Sequence, residues 1–145
     1  VVLASACDFR VAADDTYFSI PEVDLGIPLA WGGVPRLVRE IGAPATRDLV
    51  MTCRPFDAKE AAQLGLVQRV VAAEDLDAAV DELVAGLTTK ASMPLLATKA
   101  HVNAVTAQMT GTARSWADTD GLVTALGDPE CREAATRYLQ RLADR

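Results

Sequence analysis

Val1 to Ala6 is apolar or small at every position, which suits either a buried helix segment or a buried strand. Nothing before Val1 caps its leading N–H groups, so a further segment ahead of it is expected. Asp8–Val11 and Thr16–Ile20 are short and rich in β-formers, with the polar turn Ala13-Asp14-Asp15 between them. Pro21 ends the second strand. Glu22 to Trp31 contains Gly26 and Pro28, so it reads as a loop of imposed backbone geometry.

The period then changes to that of helices. Gly32-Gly33 opens a helix with Val34, Leu37, Val38 and Ile41 on one face; Gly42 closes it, and Pro44 starts another that runs through Met51. Asp57 is an N-cap with Glu60 as its capping-box partner, and Gly65 ends that short helix. Leu66–Val71 predicts a strand. Leu76, Ala79, Val80, Leu83, Val84 and Leu87 follow helical spacing, and Ser92 with Pro94 starts a helix to about Met109. Asp128 caps a last helix, with Pro129 at its first position and a stripe of Cys131, Ala134, Ala135, Tyr138, Leu139 and Leu142. The fold class is α/β, mainly helical. Two regions are expected: residues 1–71 with the candidate chemistry, and a helical 72–145 whose stripes can pack on a partner subunit.

Composition narrows the function classes. With 50% hydrophobic and 23% charged residues the chain has a globular make-up, and no apolar run approaches the roughly 20 residues of a membrane span. A net charge of −6 argues against a nucleic-acid or anionic-membrane surface. Cys7, Cys53 and Cys131 are far apart, odd in number and without metal-ligand spacing, which points to a reducing, cytoplasmic setting and no metal site. His101 has no second ligand near it and reads as a helix-surface residue.

The informative stretches are Ala6-Cys-Asp-Phe-Arg-Val-Ala-Ala13, Phe18-Ser-Ile-Pro-Glu-Val-Asp-Leu-Gly-Ile-Pro28 and Gly32-Gly-Val-Pro-Arg-Leu37, continued by Thr52 to Ala61 and Gly65-Leu-Val67. In order and spacing these segments resemble the enoyl-CoA hydratase/isomerase (crotonase) superfamily, most densely from Ala6 to Val71. The resemblance implies the carboxyl-terminal part of a crotonase (ClpP-like) ββα superhelix, followed by a helical trimerisation region.

Glu22 is the candidate catalytic residue. From the residues alone it is either an ordinary loop glutamate or a carboxylate that rigid, apolar surroundings desolvate for proton transfer. The resemblance implies the second, because the matching glutamate exchanges a proton with the acyl chain of a CoA thioester. It also implies that the two backbone donors for the thioester oxygen lie ahead of Val1, so these 145 residues alone are expected to be inactive. Two-glutamate hydratases carry a second carboxylate where Val2 stands, and dienoyl isomerases carry an aspartate where Ala30 stands. Neither is present. Leu29, Trp31 and Val2 are candidate substrate-binding residues, with Trp31 equally readable as packing for the next helix. Asp24 reads as turn-forming, Arg36 and Arg39 as helix-face salt-bridge residues ahead of a role on CoA phosphate, and Trp116 as core or interface.

Three functions follow from that pattern. One is an isomerase or related lyase of lipid metabolism with a single glutamate acid/base; the others are an inactive acyl-CoA-binding homologue and a hydratase with atypical water activation. The resemblance implies no cofactor besides the CoA of the substrate, and assembly as a trimer or hexamer.

Overall fold

A computed structural model describes residues 1–110 and 118–144; Trp116 lies outside them. The apolar opening forms a helix, α1 (Val2–Ser5), so the helical alternative holds for that segment. The first strand begins later than its β-formers suggest. β1 is Val11–Ala13, and Asp8–Arg10 is irregular because Arg10 turns inward as a hydrogen-bond hub. β2 (Tyr17–Phe18) follows the turn, in which the Thr16 N–H donates to the Ala13 carbonyl.

β1 and β2 do not pair with each other. β1 runs parallel to β4 (Arg69–Val71), with Ala12 opposite Val70, so only the end of the expected 66–71 strand is extended. β2 pairs antiparallel with β3 (Phe56–Asp57), a strand the sequence pattern does not announce. Across that ladder the rings of Phe18 and Phe56 stack at 5.3 Å, a cross-strand pair that offsets the shortness of both strands.

α2 (Gly33–Thr52) consists of two helical stretches that meet at a kink, as the sequence pattern predicts. Gly42 has φ 78° and ψ 162°, and Pro44 follows it. Its inner face supplies Leu37, Ile41, Leu49 and Val50 to one core cluster, with Ile20, Leu29, Phe56, Ala61 and Leu66. α3 (Ala58–Gln63) starts at its expected N-cap, the Glu60 N–H donating to Asp57 Oδ1 at 2.7 Å, but the Glu60 carboxylate accepts from Arg54 rather than closing a capping box. Arg10 joins this half together. Its guanidinium donates to the Leu66 carbonyl, to the Cys7 carbonyl at 2.8 Å and to Glu40 Oε2 at 2.6 Å, while 7% of the residue remains exposed.

Beyond β4 come a 3₁₀ turn (Ala73–Asp75), α4 (Leu76–Thr88), α5 (Ser92–Met109), α6 (Asp118–Gly127) and α7 (Pro129–Ala143). α6 is not signalled by the apolar pattern. The α4 stripe faces β1 across a groove of about 560 Å³ lined by Ala12, Phe18, Val80 and Leu83 among others. α7 is capped as expected, with the Cys131 N–H donating to Asp128 Oδ1 at 2.9 Å. Within the described residues no helix is long and apolar enough to cross a membrane.

Candidate active site

Pro21 to Ile27 folds into a compact turn rather than an open loop. The N–H groups of Leu25, Gly26 and Ile27 donate to the carbonyls of Pro21, Val23 and Glu22 at 3.0 Å each. Buried residues anchor both sides, Ile20 before the turn and Leu29-Ala30 after it. On this scaffold Glu22 is half-buried, and its Oε2 atom is enclosed without a hydrogen-bond partner among the described residues. A polar atom in that condition costs free energy unless something pairs with it, which sets it apart among the described residues.

The C-terminal helices complete the enclosure of the turn. A Cβ on Gly26 (φ 71°) would lie 2.1 Å from the Cys131 carbonyl oxygen, so glycine alone lets α7 approach. A Cβ on Gly121 would lie 3.2 Å from the Pro28 ring, and Arg141 reaches Asp24 Oδ2 at 3.5 Å. The Asp24 N–H meets Cys53 Sγ at 3.4 Å on the other side. Asp24 is thus a turn residue, as expected, with a cross-helix ion pair added.

Val2 and Trp31 come together with Leu3, Ala6 and Arg36 around an open concavity of about 360 Å³. Trp31 is 70% exposed and does not pack under α2, so the packing alternative fails for it. Leu29 is 4% exposed and belongs to the core; it meets Val2 over Gly33, where a Cβ would lie 2.9 Å from Leu29 Cγ and 3.0 Å from Val2 Cγ2. Leu29 therefore backs this region instead of walling it. Arg39 pairs with Glu40 at 2.8 Å, as a helix-face residue should. Among the described residues Arg36 forms no salt bridge and instead donates to the backbone carbonyls of Trp31 and Gly32 at 2.9 and 3.3 Å. Ala30 is buried at 2% exposure, leaving no carboxylate eight positions beyond Glu22.

Sequence reasoning missed Arg10, Asp118 and the contact made by Gly121. Arg10 stands inside the Ala6–Ala13 motif, but nothing local marks its partners, Leu66 and Glu40, which lie far along the chain. Asp118 Oδ2 accepts the Gly32 N–H at 2.8 Å across 86 residues, a pairing that no short-range pattern encodes. His101 is an exposed residue of α5, and no cluster of potential metal ligands exists among the described residues.

A family model described as Enoyl-CoA hydratase/isomerase matches residues 1–144. The chain is 44% identical over 103 residues to the protein named "Probable enoyl-CoA hydratase echA8" of Mycobacterium leprae, covering 71% of the chain and 39% of that relative. It is 38% identical to the crotonyl-CoA hydratase of Syntrophomonas wolfei, covering 70% of the chain and 39% of that relative. The crystal structure of an enoyl-CoA hydratase from Mycobacterium avium subsp. paratuberculosis K-10 superposes with TM-score 0.88 at 26% identity, over 97% of this chain and 56% of that one. The chain thus spans about two fifths of the length of these curated relatives. The ββα fold expected from the motifs is the fold of these neighbours, and the chain belongs to the enoyl-CoA hydratase/isomerase family.

Proposed function

We propose that the protein acts on enoyl-CoA thioesters and moves their double bond, with Glu22 as its single acid/base. The observation that carries this reading is the enclosed Oε2 of Glu22, without a partner among the described residues, in a hydrogen-bonded turn. Glu22 takes a proton from C2 of a 3-enoyl-CoA, the electron pair spreads through the double bond onto the thioester oxygen, and the same proton returns at C4 to give 2-enoyl-CoA. One carboxylate serves both transfers. Water addition asks for a second group to orient water, and Val2 cannot supply it. The enolate oxygen needs backbone donors, which on this reading come from a segment other than these 145 residues. The only cofactor-like group required is the CoA of the substrate. Members are expected to assemble as trimers or hexamers in the cytoplasm, with Val2 and Trp31 bordering the acyl group.

The relatives' names include hydratases and, in Arabidopsis thaliana, a Delta(3,5)-Delta(2,4)-dienoyl-CoA isomerase at 38% identity, which supports the acyl-CoA class without choosing between reactions. The test measures isomerisation of 3-enoyl-CoA and hydration of 2-enoyl-CoA separately, on the whole gene product. Isomerisation is expected, with kcat falling by about 10²- to 10⁴-fold in Glu22→Gln. Hydration by the parent protein, or acyl-CoA binding without turnover of either substrate, overturns the isomerase assignment.

A further inference from the structure

Trp31 has φ 55° and Gly32 φ 65°, two consecutive residues in the left-handed region. Glycine adopts that conformation freely; a bulky aromatic residue does so only where its surroundings over-determine it. Here both polar ends of one peptide unit are held by side chains. The Trp31 carbonyl accepts from Arg36 Nη1 at 2.9 Å, and the Gly32 N–H donates to Asp118 Oδ2 at 2.8 Å. Arg36 belongs to α2 and Asp118 to the start of α6, so two separate elements grip the same bond. The grip has an evident consequence. It fixes the backbone under Trp31 while the indole stays 70% exposed, turned toward the concavity it shares with Val2, Leu3, Ala6 and the Arg36 side chain. A large aromatic ring on a rigid base, beside a hollow whose other lining residues are apolar except Arg36, can wall an apolar occupant.

We propose that Asp118 and Arg36 are positioning residues that clamp the Trp31–Gly32 peptide, making Trp31 the size-selecting wall for the acyl group. This rests on reading the concavity beside Val2 as the place of that group. Asp118 touches no substrate. It acts through Trp31, so its loss should change discrimination between acyl chains more than the rate on the best of them.

The experiment uses the whole gene product with Trp116→Phe, which leaves Trp31 as its only tryptophan within these residues. Asp118→Ala should lower the fluorescence anisotropy of Trp31 and bring the kcat/KM ratio between short and long enoyl-CoA substrates about tenfold closer to unity. Asp118→Asn keeps an acceptor for the Gly32 N–H and should restore both readouts. If Asp118→Ala does not fold, Asp118→Leu fills the same space without an acceptor for the Gly32 N–H and should give the same pair of changes. Turnover with unaltered anisotropy and selectivity overturns the clamp and leaves the role of Glu22 standing. Altered anisotropy in a protein that neither binds nor converts acyl-CoA overturns the acyl-site reading and the selectivity with it.

Discussion

Leu37 and Leu49 of α2 are fully buried, whereas Leu96 and Met109 of α5 are 66% and 78% exposed. α2 spans 20 residues across its kink at Gly42 and α5 spans 18, and both are rich in apolar side chains. What separates them is the availability of neighbours. The whole core cluster lies between Ala12 and Val67, where four short strands, α2 and α3 converge. From Ala72 onward only Ala125, among the described residues, is a buried hydrophobic residue. Helical spacing states which face of a helix is apolar; it does not state whether anything in the same chain covers that face.

The most severe way to break the contrast is to remove the residue that binds the first region together. Arg10→Met leaves the Leu66 and Cys7 carbonyls without their donor, and Glu40 with only its Arg39 partner. A cost of about 3 kcal/mol in urea unfolding is expected, since a buried acceptor stripped of its donor bears its full desolvation penalty. A loss below about 1 kcal/mol would mean that the carbonyls find other donors and that the core alone holds the region.

The same contrast decides how much the sequence reveals. α3, α4, α5 and α7 were legible because caps such as Asp57 and Asp128, and i, i+3, i+4 spacing, are local signals. The position of Glu22 was legible for a similar reason: Pro21, Gly26 and Pro28 prescribe its turn. Strand pairing was not. β1 finds β4 across more than fifty residues and β2 finds β3, because the partners of an edge are chosen by tertiary packing. The burial of Leu29 was not legible for that reason too, since its loop position did not reveal that it packs against Gly33 inside the core. The grip of Asp118 on Gly32 belongs to this long-range class.

A smaller effect probes the second region through its own cap. The Cys131 N–H, first among its causes, holds the Asp128 carboxyl below the usual carboxylate range. A depressed folded value means stability that is present at neutral pH and lost as pH falls through that value. Acidification should therefore loosen the first turn of α7, seen as Cα chemical shifts of Glu130 to Arg132 moving toward coil. Asp128→Asn should keep the turn and remove the pH dependence, because the amide oxygen still accepts the Cys131 N–H. If the shifts move identically in both proteins, acid acts elsewhere and the cap is not what holds α7.

The smallest effect expected for the isolated chain is the most informative about partners. Leu96 touches little in its own chain, so Leu96→Ser should alter unfolding by no more than about 0.5 kcal/mol, the usual range of a surface change. Its side chain sits on a helix whose Met93, Val102 and Val105 are also exposed, an amount of open apolar surface that a lone domain seldom keeps. Carried out in the whole gene product, the same substitution discriminates between two states. An unchanged Tm that does not depend on protein concentration means that the α5 face is open in solution, and the contrast with α2 is intrinsic. A Tm that falls by several degrees, and more steeply on dilution, means that another subunit covers this face. In that case α5 is buried as α2 is, with its core supplied in trans, and the difference between the two halves is one of where the neighbours come from rather than of how the helices are built.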